Sequence, residues 1–220
     1  MPLQQHLPKW GISDFEPHIS SETMFVHVNK LHKGYVDKLN ARFGDSPILE
    51  IAPSIVLRNL EGYLPTKDQE FYRNMMGGNL AHALFWEVLN PKGSGQVDPN
   101  SLFMRECLQG QSLHQLKQRI VNVGLARFGS GWVWGCVDPR QDYKFLLYST
   151  RNHDTPYMRG QIPIFTVDLW EHAYFIDDHG NRKAWLDTVV NRYLDFKLIQ
   201  DIYRATKLHN FDVGNYLVRG

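Results

Sequence analysis

The stretch Leu89-Asn90-Pro91-Lys92-Gly93-Ser94-Gly95-Gln96-Val97-Asp98-Pro99-Asn100 limits the folds open to this chain more than any other feature. Its prolines withhold backbone donors and its glycines free the backbone, so neither a helix nor a strand continues through it. The hydrophobic pattern differs on its two sides. Before it, Ser20 or Ser21 with Glu22 forms a helix start. Met24, His27, Leu31 and Tyr35 then recur at spacings of three and four, which places them on one helix face. A second helix is predicted over about 67–89, after Pro65-Thr66, with His82 among Leu80, Leu84, Phe85 and Trp86. Between the two lie Asp45-Ser46-Pro47 and a short helical candidate at about 51–60. The first half therefore reads as an antiparallel helical hairpin joined by facing apolar stripes.

After the Pro/Gly segment, residues 101–128 read as helix in two pieces broken near Gly110. Gly131–Val137 is short, aromatic and β-branched, and reads as a strand. Asp138–Asp142 is a turn, Tyr143–Thr150 the partner strand, and Ile162–Val167 a third strand running into Asp168-Leu169-Trp170-Glu171-His172. A helix is predicted over 182–198, and no internal repeat is present. The expected fold class is α+β, with an N-terminal hairpin domain over 1–91, a linker over 92–100 and a C-terminal domain over 101–220.

A chain of 220 residues suffices for one large domain or two small ones. Lys and Arg total 24 against 23 Asp and Glu, so the net charge of +1 gives no basic excess and no nucleic-acid partner is expected. No apolar run approaches the length needed to span a membrane, so no membrane partner is expected either. The start shows neither a signal nor a transit pattern, which points to the cytoplasm, or to the mitochondrion if a transit segment has been removed. Cys107 and Cys136 are too far apart for a CxxC pair, consistent with a reducing compartment.

Asp168 and His172 stand four apart, a spacing that a helical turn brings to one side. A capping Asp beside a packed His gives the same spacing, and a lone His on an apolar helix face, as at His27 or His82, is commonly a satisfied core residue. Taken together, three imidazoles and one carboxylate on buried faces suit a first-row transition metal such as Fe or Mn. Without an ion, their burial leaves polar groups in need of other partners. His32, His114, His179 and His209 read as surface or structural residues.

Four stretches carry a family resemblance. They are Phe15–Thr23 followed by His27, Lys30, His32 and Tyr35; Gly77–Trp86; Phe128–Trp134; and Thr166-Val167-Asp168-Leu169-Trp170-Glu171-His172-Ala173-Tyr174. In order and spacing, over roughly residues 7–200, they resemble the iron/manganese superoxide dismutases. The resemblance implies a hairpin plus a C-terminal domain of helices around a three-stranded antiparallel sheet. It implies one Fe or Mn ion per subunit, held by His27, His82, Asp168 and His172, and superoxide as substrate. It also implies Trp132 and Trp170 as walls of the site, Tyr35 as a proton gate, and Glu171 reaching His172 of a neighbouring subunit in a homodimer or homotetramer. A catalytically silent, dismutase-fold subunit of a larger assembly, such as a mitochondrial ribosome, is the alternative.

The chain departs from the family pattern at informative places. Leu31 and Phe175 replace a His and a Tyr that meet across the family's subunit interface, which reads either as apolar repacking or as a weakened proton relay at the funnel mouth. The Gln that orients the family's bound solvent comes from a helix or from a strand. Here the helix place holds Gly78 and the strand place His153, which leans the metal towards iron or dual use. Arg182 matches a basic residue at the funnel rim, and Lys30 stands beside Asn29, which replaces the family's rim Lys. The residues after Leu198 exceed the usual length, as a partner-binding tail or an extra docked helix.

Overall fold

The computed structural model describes residues 2–44 and 46–219. Helix α1 (Ser21–Val26) begins where the Ser20 hydroxyl accepts from the Thr23 amide at 3.2 Å. It passes through a π-helical turn, His27–His32, into α2 (Lys33–Phe43). The helix expected at 51–60 is two short ones, α3 (Pro53–Arg58) and α4 (Leu60–Tyr63). Asn59 leaves helical geometry between them and its side chain caps the second. Helix α5 (Thr66–Val88) packs along α2 and is buried on every face from Met76 to Trp86, which explains its weak amphipathic pattern.

The expected break near Gly110 occurs, with both Gln109 and Gly110 at positive φ between a π-helical turn (Phe103–Cys107) and α6 (Leu113–Leu125). Ser112 and Gln115 close a capping box at the start of α6. Strands β1 (Gly131–Asp138), β2 (Lys144–Arg151) and β3 (Ile162–Asp168) form one antiparallel sheet in the order β2-β1-β3. The central strand β1 is buried along its whole length, as its unbroken apolar run requires. Its register sets Trp132 opposite Thr150 on one side and Asp168 on the other, which delivers Asp168 to the sheet end beside the first indole of the strand.

A tight turn, Glu171–Ala173, leads to α7 (Phe175–Asp178) and α8 (Arg182–Thr188). The single helix expected over 182–198 does not form. A π-helical turn (Val189–Tyr193) ends it, and α9 (Phe196–His209) starts afresh with Asp195 capping the amides of Lys197 and Leu198. The break serves tertiary structure. Leu194 bridges Leu89, the Asn90 amide donates to Tyr193 O at 2.8 Å, and the Asp195 amide donates to Val88 O at 2.9 Å. The end of α5 is thereby sewn to the C-terminal half.

The tail forms α10 (Val213–Arg219), which docks on α5 and α3 rather than standing free. One cluster of buried apolar side chains draws on both sides of the Pro/Gly segment, including Phe85 and Trp86 with Trp132, Phe165 and Trp185. Ending the chain at Asn210 removes the buried Val213, Leu217 and Val218 and the Tyr157–Asp212 hydrogen bond. At ~1.5 kcal/mol for each buried aliphatic side chain the loss is about 4–5 kcal/mol, or roughly 10 °C in Tm for a chain of this size. Calorimetry on the truncated protein measures it, and an unchanged Tm would show that α10 adds no stability.

Candidate metal centre

Four elements each deliver one side chain to a common point. His27 opens the π-helical turn after α1, His82 lies in the buried part of α5, Asp168 ends β3, and His172 sits in the turn that follows. One donor atom from each lies within 4.8 Å of all the others. From Asp168 Oδ2 the distances are 3.1 Å to His27 Nε2, 3.2 Å to His172 Nε2 and 3.9 Å to His82 Nε2. His27, His82 and Asp168 are buried, and His172 is half-buried.

The surroundings aim these donors. His82 Nδ1 donates to the Gly78 carbonyl at 2.7 Å, one helical turn back, so its Nε2 lone pair is free. Asp168 Oδ1 accepts from the Trp170 amide at 2.7 Å, leaving Oδ2 for the centre. His27 Nε2 and His82 Nε2 are buried with no hydrogen-bond partner among the described residues. Buried polar atoms are rarely left so, and three imidazole nitrogens with one carboxylate oxygen fit a first-row transition ion.

Protonation favours the same occupant. Burial pushes the His27 imidazole down to about 4 and holds that of His82 well below its ordinary value. Burial alone would raise Asp168, but the imidazoles of His172 and His27 outweigh it and hold the carboxyl well below the usual carboxylate range. At neutral pH these are neutral imidazoles around an ionised carboxylate, the forms that bind metal.

Comparison with known proteins agrees with this geometry. The family model for the iron/manganese superoxide dismutases, alpha-hairpin domain, matches residues 5–90, and that for their C-terminal domain matches residues 108–202. The chain belongs to the iron/manganese superoxide dismutase family. It is 35% identical over 210 residues to the superoxide dismutase [Mn] of Thermus aquaticus, covering 93% of this chain and 100% of that one. Identity to the superoxide dismutase [Mn] of Thermus thermophilus is 34% over 209 residues, 93% and 99% of the two chains. With the Pseudomonas aeruginosa superoxide dismutase [Mn] it is 37% over 177 residues, 80% and 85%.

Around the dismutase-family donors stands an aromatic wall. Trp86 meets His27 edge-on at 4.7 Å, Trp132 meets His82 at 5.0 Å, and Trp170 stacks on His172 at 5.8 Å and on His153 at 4.5 Å. His153 is buried behind Tyr35, its Nε2 lying 2.7 Å from the Tyr35 hydroxyl. Trp132 Nε1 donates to His153 Nδ1 at 3.2 Å. An indole nitrogen only donates, so Nδ1 accepts and the ring proton of neutral His153 sits on Nε2, aimed at the Tyr35 oxygen. Burial pushes His153 down to about 4 and raises the Tyr35 phenol well above its ordinary value. Gly77 and Gly78 make room for this pair, since a Cβ at Gly77 would strike the His153 carbonyl and one at Gly78 would lie 2.9 Å from the Tyr35 ring.

The other residues singled out from the sequence lie farther out. Lys30 is exposed with Nζ over the Phe25 ring, Glu171 is exposed, Leu31 is half-buried and Phe175 is 60% exposed. Arg182 spends its donors on the carbonyls of Arg127, Gly129 and Leu169 and on the Tyr174 hydroxyl. His114, His179 and His209 are exposed.

His32 is the residue whose place the sequence obscures. It is fully buried, stacks on His82 with ring centroids 5.3 Å apart, accepts from Trp86 Nε1 at 3.0 Å, and has Nε2 2.9 Å from Asn79 Oδ1. The π-helical turn, one residue wider than an α-helical turn, carries it round to the same side as His27. Its spacing of five from His27 gave no signal for an ordinary helix.

Burial pushes His32, like His27 and His153, from 6.5 down to about 4. Between those values the unfolded chain binds more protons, so stability present above pH 6.5 is lost as pH falls towards 4. The metal-free protein is therefore expected to unfold at lower urea at pH 5 than at pH 7, with a smaller difference in His32→Gln. Equal midpoints for the parent at the two pH values would contradict this account.

Proposed function

We propose that this chain converts two superoxide anions and two protons into dioxygen and hydrogen peroxide at the His27, His82, Asp168 and His172 centre. The observation that carries the reading is the convergence of those donor atoms within 4.8 Å, with His27 Nε2 and His82 Nε2 lacking a hydrogen-bond partner among the described residues. When bound, an iron or manganese ion supplies the one-electron chemistry, alternately accepting and returning an electron.

The protein's own groups control access and protons. Trp86, Trp132 and Trp170 pack on the ligand imidazoles and keep bulk water from them. His153 donates to the Tyr35 oxygen, which leaves the phenolic proton free to be directed towards the reacting anion. Arg182, with its guanidinium fixed by carbonyls, and Lys30 on the exposed side of the π-helical turn add positive potential that draws superoxide inward. Leu31 and Phe175 replace a polar contact at the mouth with an apolar one.

A homodimer or homotetramer suits the exposed Phe128, Phe175 and Ile176, with Glu171 exposed near them for the His172 of a neighbour. No helix among the described residues is long and apolar enough to cross a membrane. The buried free thiols of Cys107 and Cys136 suit a reducing compartment, the cytoplasm or a mitochondrial matrix.

Metal analysis with a superoxide-removal assay tests the activity. One Fe or Mn per chain with rapid turnover is expected, and Asp168→Ala should lose both metal and turnover. A metal-free, inert parent would instead favour the silent structural subunit. The lean towards iron rests on Gly78 with His153, while the three relatives are named for manganese. We expect the metal-free protein to regain turnover with either ion, and reconstitution by only one of them would refute dual use.

The tyrosine–histidine contact has its own test. His153 stays neutral above pH 6, so the alkaline limb of activity reports the Tyr35 proton and its donor. His153→Gln should move that limb between pH 6 and 10. Superimposable profiles would count against a proton role for His153.

A further inference from the structure

Beyond the metal centre, α5, the residues after α6, the edge strand β2 and the turn that follows it border a cleft of about 510 Å3. Arg73, Arg127, Arg151 and Arg159 line it, and among the described residues the one acidic residue in the lining is Asp154. Asp154 is already engaged. Arg73 Nε and Nη2 donate to its two oxygens at 2.7 Å each, and Arg151 Nε lies 3.7 Å away. Arg127 donates to the hydroxyl and carbonyl of Ser149 at 3.1 and 2.7 Å, which fixes its plane without neutralising it. The Arg159 guanidinium lies over the Tyr148 ring at 4.8 Å, with no carboxylate in ion-pair reach among the described residues. A chain of net charge +1 thus gathers several uncompensated cations around one recess.

A second observation is independent of the charges. Thr155 lines the same cleft, is only 2% exposed, and its Oγ1 has no hydrogen-bond partner among the described residues. Buried hydroxyls are nearly always bonded, so an unpartnered one in a recess rich in guanidinium lacks an acceptor. Guanidinium groups engage phosphate oxygens by paired N–H donors, and a tetrahedral dianion offers acceptors enough for these groups and a hydroxyl together.

We propose that this cleft is a binding site for a phosphoryl-type oxyanion, either inorganic phosphate or the phosphate of a small phosphomonoester. Arg127, Arg151 and Arg159 supply the charge and the Thr155 hydroxyl donates to one oxygen. The site is separate from the superoxide centre and none of its residues holds the metal.

The test follows thermal unfolding of the metal-loaded protein in increasing inorganic phosphate, with sodium chloride keeping ionic strength constant. A ligand that binds only the folded state raises Tm with its concentration. The parent is expected to show that rise without any change in the visible absorption of its metal. Arg159→Gln and Thr155→Val should each need at least about tenfold more phosphate for the same rise, a difference of about 1.4 kcal/mol in binding. Their Tm in chloride alone should match or exceed the parent's, which separates lost binding from lost packing. Glycerol phosphate in place of phosphate distinguishes the two sources, and a rise with either supports the site. No rise at all, an equal rise in the parent and both variants, or a rise that moves the metal absorption overturns the proposal.

Discussion

Asp168 is a carboxylate with no solvent exposure, placed at the end of a buried strand where nothing apolar can balance its charge. Burying an unpaired ion costs several kcal/mol, far more than one local contact returns. Relief comes from the nearby Trp170 amide and from imidazoles, two of them brought in by distant parts of the chain. His27 arrives from the first helix, His82 from α5, and His172 from the turn beyond β3. Even so, the imidazoles balance the carboxylate only in part, and His27 Nε2 and His82 Nε2 have no hydrogen-bond partner among the described residues. A cation completes the balance, and the two halves of the chain are bound to one another through that requirement.

The same demand accounts for features that otherwise look unrelated. The seam between the halves is apolar around the site because each indole that touches a ligand ring also excludes the water that would screen Asp168. The backbone is fastened at the same seam, where Val88, Leu89 and Asn90 bond to Tyr193, Leu194 and Asp195. A ligand set held to tenths of an ångström needs such fastening, since a slack interface between two halves would let His82 drift from Asp168. Breaking one long helix at Leu194 is the local cost of that junction.

Much of this was legible in the sequence because it was written in short-range patterns. Periodicity placed the helix from Ser21 and the helix ending at Val88, and β-branched aromatic runs placed all three strands to within about a residue. The four donors were legible as residue types on buried faces, and the family resemblance assembled them into one set. What escaped depends on contacts that no local window contains. The break at Leu194 follows from pairing with Leu89, more than a hundred positions earlier. Of the two readings of the tail, a partner-binding segment or an extra docked helix, α10 takes the second, through its contacts with α3 and α5. His32 read as surface or structural, and its buried place among the ligands gave no signal because the π-helical turn that carries it inward changes the period on which such readings rest.

The Gly78 and His153 pair shows how one substitution in such a site constrains another. A side chain long enough to act from position 78 must begin with a Cβ, and that atom would sit 2.9 Å from the Tyr35 ring. With glycine there, the ring lies close against α5, and its hydroxyl is met from the opposite side by His153. Placing a long polar side chain on the helix would push the ring off the position from which it touches His153. Glycine at 78 and histidine at 153 thus fit together around one tyrosine in this chain. The donor to the tyrosine is a ring N–H whose direction is fixed by the Trp132 indole. With that N–H aimed at the Tyr35 oxygen, the phenolic proton points away from His153.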